Sequence, residues 1–469
     1  MEVRTVKKLI CTLLAVSLAT ALFGGCAGTS QSAGSEAPPS GSAPAPDAGE
    51  AGSENSAPGS KTIKFLTVGD PYVGAMKAVL PEFEEQTGIK VVVDSVPYLD
   101  LHGKAILELA GDTGSYDMVS IDIPWTGEFA EGGHLYDLTN LVERDKEELQ
   151  VDDFLPGAWE GLATWDGRVI ALPLAPYYMY IHYRTDVFAQ KGLAVPETKD
   201  EFVNAIQSLY DPQNNFYGLA IALKRGASVV HDWCAYYNGF GGKMFRDMPN
   251  DYTTDIDGEI GVLTTQMLKD LVPYLPDGVL QYENADRWNA FMHGNAGMTA
   301  VFNANSPQFE TAEDTTVAGK VGYTTLPRLN ANSQPSLPFA GFSIAINKDS
   351  RNVEESWTFM KWMTSPETDK KWVDIPGTPG VPMRISTVTD PELVEKYPYF
   401  KIIYDAETQG LADGVDYRSR LPEWTQIEEI LGLELNLAVS GEKEVEAALG
   451  DAASKINELM KQNGYPVAG

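Results

Sequence analysis

Lys61–Val68 reads KTIKFLTV, Ile89–Val96 reads IKVVVDSV and Tyr116–Asp122 reads YDMVSID. All three runs are apolar and rich in β-branched residues, and Gly69-Asp70-Pro71 closes the first as a turn would close a strand. Between the first two, Met76, Val79, Leu80 and Phe83 recur at helical spacing, and Gly88 stands where that helix would stop. Pro81 inside the run predicts a kink or a fresh first turn. A second helix is expected near Leu99–Ala110. Strands that alternate with helices at this period form βαβ units and a parallel sheet. The folded part of the chain opens as an α/β lobe.

Downstream, Ile170–Tyr183 (IALPLAPYYMYIHY) is long, apolar and broken by Pro173 and Pro176, which predicts a strand crossing into a second lobe near Tyr177. Phe202–Leu209 and Gly258–Leu275 predict helices, and Phe216–Leu223, Ala296–Phe302, Val321–Leu326 and Gly341–Ile346 predict strands. Val353–Met363 is a strongly apolar helix. Val445, Ala448, Leu449, Ala452, Ile456 and Leu459 form one helical stripe before Gly464. No repeat of fixed period is present.

Upstream, Arg4, Lys7 and Lys8 precede the apolar run Leu9–Phe23, the layout of a secretory leader over 1–25. The run is short for a membrane span, which needs ~20 residues. Leu22-Phe23-Gly24-Gly25-Cys26 resembles a bacterial lipobox, in which the cysteine is lipidated; Phe23 and Gly24 depart from its usual residues, and plain secretion is the alternative. Of the 34 positions 27–60, 27 are Ala, Ser, Gly or Pro, so 26–60 is expected to be a lipidated Cys26 and a flexible linker. The whole 469-residue chain has 66 acidic against 35 basic residues, a net charge of −31, which argues against nucleic acid or anionic lipid as a partner of its bulk surface. Its 3 cysteines leave no disulfide framework and no Cys-based zinc site.

Six segments then carry a resemblance. Phe83–Val91 (FEEQTGIKV), Tyr116–Val119 (YDMV), Gly132–Leu138 (GGHLYDL), Ala171–Pro173 with Tyr183–Phe188 (YRTDVF), Phe291–Met298 (FMHGNAGM) and Trp357–Pro366 are similar, in order, to motifs of the family-1 extracellular solute-binding proteins. These are sugar-binding lipoproteins of ABC importers, like the maltose-binding protein. The resemblance covers about 61–469. It implies a class II periplasmic-binding-protein fold: two α/β lobes, each a mostly parallel sheet flanked by helices, with a ligand cleft between them. On this reading 61–177 plus 303–365 form lobe 1, and 178–302 plus 366–469 form lobe 2. The solute it implies is a sugar, with the chain's length favouring an oligosaccharide; a solute that touches both lobes favours the closed state, which the permease subunits then read. The implied protein is a monomer, extracytoplasmic and lipid-anchored, with a Gram-positive surface favoured over a periplasm. No catalytic residue, cofactor or metal is implied.

A sugar site needs aromatic platforms and planar polar groups, placed after the carboxyl ends of strands. Asp70 and Tyr72 follow the first strand, and Asp122 and Trp125 follow the third. Asp232, Trp233 and Tyr236 form the densest polar–aromatic cluster of the second lobe, with His231 and Cys234 beside them. Asn303 and Asn305 follow the strand ending at Phe302. Arg384 follows the Gly/Pro-rich loop from Gly377, and Tyr417, Arg418 and Trp424 complete the candidates. Each has a packing alternative: an N-cap for Asp70, a turn for the asparagines, a structural carboxylate clamp for Arg384. Trp288, Phe291, Trp357 and Trp362 are read as helix core. Asp255–Gly258 is too short for an EF-hand loop and reads as a helix start. A non-sugar solute such as a polyamine, a secreted glycoside hydrolase and an adhesin remain open alternatives, although no G-x-S-x-G, H-E-x-x-H or P-loop motif is present.

Overall fold

The computed structural model describes residues 61–111, 114–377, 379–410 and 417–468. The expected leader 1–25, Cys26 and the linker to residue 60 lie outside the described residues, as does Thr378.

The opening unfolds as the pattern predicts. Strand β1 (Lys61–Val68), helix α1 (Tyr72–Thr87), β2 (Ile89–Val96), α2 (Tyr98–Ala110) and β3 (Met118–Asp122) follow one another. Helix α1 buries Met76, Val79, Leu80 and Phe83 and stops at Gly88, whose φ of 70° favours glycine. Pro81 neither ends nor restarts it: the helix runs on through that position. Pro81 is exposed, so the carbonyl it deprives of a partner can meet water.

After the two-residue strands β4 (Thr164–Trp165) and β5 (Arg168–Val169) comes the long strand β6 (Leu172–Arg184), followed by β7 (Met298–Phe302), β8 (Val321–Thr324) and β9 (Phe339–Ile346). One sheet runs in the order β2-β1-β3-β9-β6-β7, with β8 also pairing with β6. The first part of β6 pairs with β9 (Leu172↔Ile344 to Tyr178↔Phe339), while Met179 to Tyr183 pair with β7. A single strand therefore belongs to both halves of the two-lobe α/β fold. Its register shifts between Pro173 and Ala175, where proline supplies no donor to the ladder.

Two expectations need correction. A mostly parallel sheet holds for β2-β1-β3, but β9, β6, β7 and β8 pair antiparallel, because the chain crosses between lobes instead of returning through helices. Phe216–Leu223 is no continuous strand; it makes only the isolated parallel bridges Tyr217↔Ala296 and Ala220↔Thr299 beside β7. Strand β8 pairs with the far part of β6, and the helix Pro366–Trp372 packs on α1, with Lys371 2.7 Å from Glu82 and Trp372 edge-on to Tyr72. The helices Ala227–Gly239, Glu259–Leu271, Trp424–Val439 and Val445–Gln462 pack together as the body of the second lobe.

Candidate functional site

Parallel strands put their carboxyl ends along one edge of the sheet, and the loops that follow gather there. Asp70 follows β1, Tyr98 follows β2 and Asp122 ends β3; all three line a cleft of about 530 Å³. Tyr177 of β6, Phe302 of β7 and Phe342 of β9 supply aromatic surface at its floor. The backbones of β6 and β9 meet closely there. A Cβ on Gly341 would lie 2.2 Å from the carbonyl oxygen of Ala175, and the residue's φ of 129° is glycine's as well. The opposite wall comes from the second lobe, with His231 on the helix Ala227–Gly239 and Asn284, Arg287 and Trp288 on the helix Asn284–Met292.

The charges in this cleft are mostly matched. Arg418 forks onto Asp122, with Nη1 donating to Oδ2 at 3.0 Å and Nη2 to Oδ1 at 3.1 Å. The Tyr98 hydroxyl adds a bond to Oδ2 at 2.8 Å and the Ile123 amide one to Oδ1 at 2.9 Å, so Asp122 is fully engaged. His231 Nε2 lies 3.2 Å from Arg418 Nη1 and 3.1 Å from Glu428 Oε1, and the Tyr417 hydroxyl donates to the His231 carbonyl at 3.0 Å. Tyr417 and Arg418 thus join the end of β3 to the second lobe. Asp232 meets Arg287 Nη1 at 2.7 and 2.8 Å, both side chains fully buried. Burial pushes the Asp232 carboxyl up, and the charge of Arg287 opposes the rise. Lys224 pairs with Glu283 at the rim.

Asp70 differs. Its Oδ2 accepts one hydrogen bond, from the Tyr177 hydroxyl at 2.7 Å. Desolvation pushes its pKa up to about 6; the Tyr177 bond pulls against the rise, and the charge of Asp122 adds to it. It is a carboxylate with spare acceptor capacity facing the cleft.

Of the candidates read from sequence, the structure brings Asp70, Asp122, Asn305 and Arg418 onto the cleft. The others lie elsewhere. Tyr72 is buried in the first-lobe core, its hydroxyl 2.8 Å from Thr67 Oγ1. Trp125 stacks behind Tyr98, ring centroids 5.5 Å apart, and braces that tyrosine. Trp233 stacks on Tyr237 and donates to Thr265 Oγ1, Tyr236 is buried beside Phe202, and Asp232 acts through Arg287. Asn303 staples two crossing segments: its Oδ1 accepts from the Tyr178 amide at 3.1 Å and its Nδ2 donates to the Pro176 carbonyl at 3.4 Å. Arg384 is fully buried away from the cleft and gives its donors to the carbonyls of Thr364, Leu149 and Gln150. Trp424 is buried at the start of its helix. Trp288, read as core, is only half-buried and lines the cleft, because the lobes leave one edge of its helix uncovered. Phe291, Trp357 and Trp362 pack in or against the core.

Residues 69–370 match the bacterial extracellular solute-binding protein family. The chain belongs to that family. Bacterial extracellular solute-binding proteins bind solute for ABC transporters and are not enzymes. A solute-binding protein from Agrobacterium radiobacter K84, solved in complex with ribitol, superimposes with a TM-score of 0.78 at 31% identity, covering 85% of this chain and 98% of that one. A probable amino-acid ABC transporter periplasmic-binding protein from Sinorhizobium fredii is 26% identical over 83% of this chain and 87% of its own. An erythritol/L-threitol-binding protein from Mycolicibacterium smegmatis is 27% identical over 67% of this chain and 68% of its own. Among the described residues of this solute-binding protein, no helix is long and apolar enough to cross a membrane.

Proposed function

We propose that this protein captures a small polyhydroxylated solute, a sugar or sugar alcohol of one or two rings' length, and delivers it to the permease of an ABC importer. The observation that carries the reading is the pairing, in one cleft, of Asp70 with its spare acceptor capacity and the aromatic surfaces of Tyr177, Phe342 and Trp288. Hydroxyl protons need the first and C–H faces need the second. Lys224, Glu283, Arg287, Asp122 and Arg418 all have charged partners, which suits a neutral guest, and Arg225 and Asp100 complete the charges of the lining. A volume of about 530 Å³ suits a guest smaller than a long oligosaccharide. The ribitol and erythritol relatives point the same way. In this reading the protein is a monomer outside the cytoplasm, tethered by lipid on Cys26 and most at home on a Gram-positive surface. Two or more acyl chains at ~0.8 kcal/mol per buried CH₂ hold such a tether firmly.

A thermal-shift panel of ribitol, mannitol, glucose, maltose, single amino acids and spermidine tests the reading. A ligand at about 100 times its Kd adds ~2.7 kcal/mol of stability, a rise of a few degrees in Tm. The expected result is a rise with a sugar or polyol. A rise with amino acids alone would favour a zwitterion held between Asp70 and Arg225, the reading the Sinorhizobium relative suggests. No rise with any sugar or polyol overturns the proposal.

A further inference from the structure

The second-lobe wall holds polar capacity that the protein itself leaves unused. Asn284, Arg287 and Trp288 stand three and four residues apart on the helix Asn284–Met292, so they share one face, and all three line the cleft. Arg287 is 1% exposed and spends only Nη1 on Asp232, while its Nε is buried without a partner. The Oδ1 of Asn284, one turn away, is likewise buried and unpartnered. Buried polar atoms are nearly always satisfied, so an orphan donor and an orphan acceptor on one cleft-lining face call for an occupant. The half-buried Trp288 ring lies beside them. Asp232, itself accepting from the Ala222 amide at 3.3 Å, fixes the guanidinium before any solute arrives.

We propose that this face is a recognition subsite for one end of the solute, taking a pair of neighbouring hydroxyls on a carbon chain or ring. One hydroxyl oxygen accepts from Arg287 Nε, the next donates its proton to Asn284 Oδ1, and the intervening C–H edge rests on Trp288. The subsite rests on the reading of the solute as polyhydroxylated, and it sets which hydroxyl pattern is accepted. Asp70 on the first lobe, an acceptor only, would hold the other end.

Isothermal titration of the full chain with ribitol, mannitol, glucose and maltose tests the subsite, comparing wild type with Asn284→Ala, Trp288→Leu and Arg287→Lys. Each variant is expected to weaken binding of the accepted solute by about tenfold or more. Asn284→Ala should leave the Tm of the ligand-free protein unchanged or raised, since it removes an atom that bonds nothing. A residue with a merely structural role would lower it. The deoxy analogue of the accepted solute that lacks the hydroxyl donating to Asn284 should bind wild type and Asn284→Ala alike. If Asn284→Ala or Trp288→Leu binds every accepted probe as wild type does, the subsite is overturned while the solute class stands. If wild type binds none of the four probes, both readings fall together. Should Arg287→Lys not fold, the other two variants still decide.

Discussion

The first-lobe wall of the cleft is made where parallel strands end, with Asp70 and Tyr98 following β1 and β2 and Asp122 closing β3, whereas the second-lobe wall is made of helix faces carrying His231, Arg287 and Trp288. These strand-end residues owe their position to the sheet. The helix residues owe theirs to how the helices pack, and their neighbours on the same helix are core: Trp233 and Phe291 are fully buried. The electrostatics differ in the same sense. The first wall leaves a carboxylate half-satisfied, while the second sets its buried charge against a fixed counter-charge.

The largest effect expected from breaking that contrast is at Asp232. Asp232→Ala leaves Arg287 charged and buried with no counter-ion, which should cost about 3–5 kcal/mol of stability, read as a lower urea midpoint. A loss below about 1 kcal/mol would mean that Arg287 is solvated in the cleft.

Asp70→Asn should act in the opposite direction. The raised pKa, about 6, lets folded Asp70 keep a proton that the unfolded chain has released above the ordinary aspartate value of 3.8. The ligand-free protein therefore pays no penalty for this group below about pH 4, loses stability as pH rises through 6, and carries the whole penalty above it. Allowing for partial exposure, Asp70→Asn should gain about 1–3 kcal/mol at pH 7.5 and nothing at pH 3.5, while binding weakens. Asp369, pushed up to about 6 by its own burial, adds the same slope to both proteins, so their difference isolates Asp70. A variant less stable than wild type at pH 7.5 would refute the assignment.

The smallest effect belongs to the rim. Lys224→Ala removes a partly exposed pair with Glu283 and should change stability by no more than about 1 kcal/mol, a difference that vanishes in molar salt. A salt-independent loss would place the pair inside the closed cleft.

The same contrast explains what could be read from the chain. Lys61–Val68, Ile89–Val96 and Val353–Met363 have the bounds their periodicity predicts, because local pattern and tertiary burial agree there. Asp70 and Asp122 were legible as residues at the ends of such strands. Tyr98 was missed although it follows β2 by the same logic, so a signal was available. Asp232 and Trp233 look like one cluster in sequence, but neighbours on a helix point about 100° apart, and one turns to Arg287 while the other turns to Thr265. Nothing local could foretell that Arg384 would cap the carbonyls of Leu149 and Gln150, more than two hundred residues before it. Trp288 was illegible for the same reason: its stripe announces a helix but not which edge the lobes leave open.

Strand β9 lies between β3 and β6, yet it is synthesised long after both. Until residue 346 has left the ribosome, β3 and β6 each present a bare ladder edge, and the pairing that joins them cannot form. The nascent chain is thus kept from locking its central sheet for most of its synthesis. A chain stopped before Phe339 therefore lacks the strand that bridges β3 to β6.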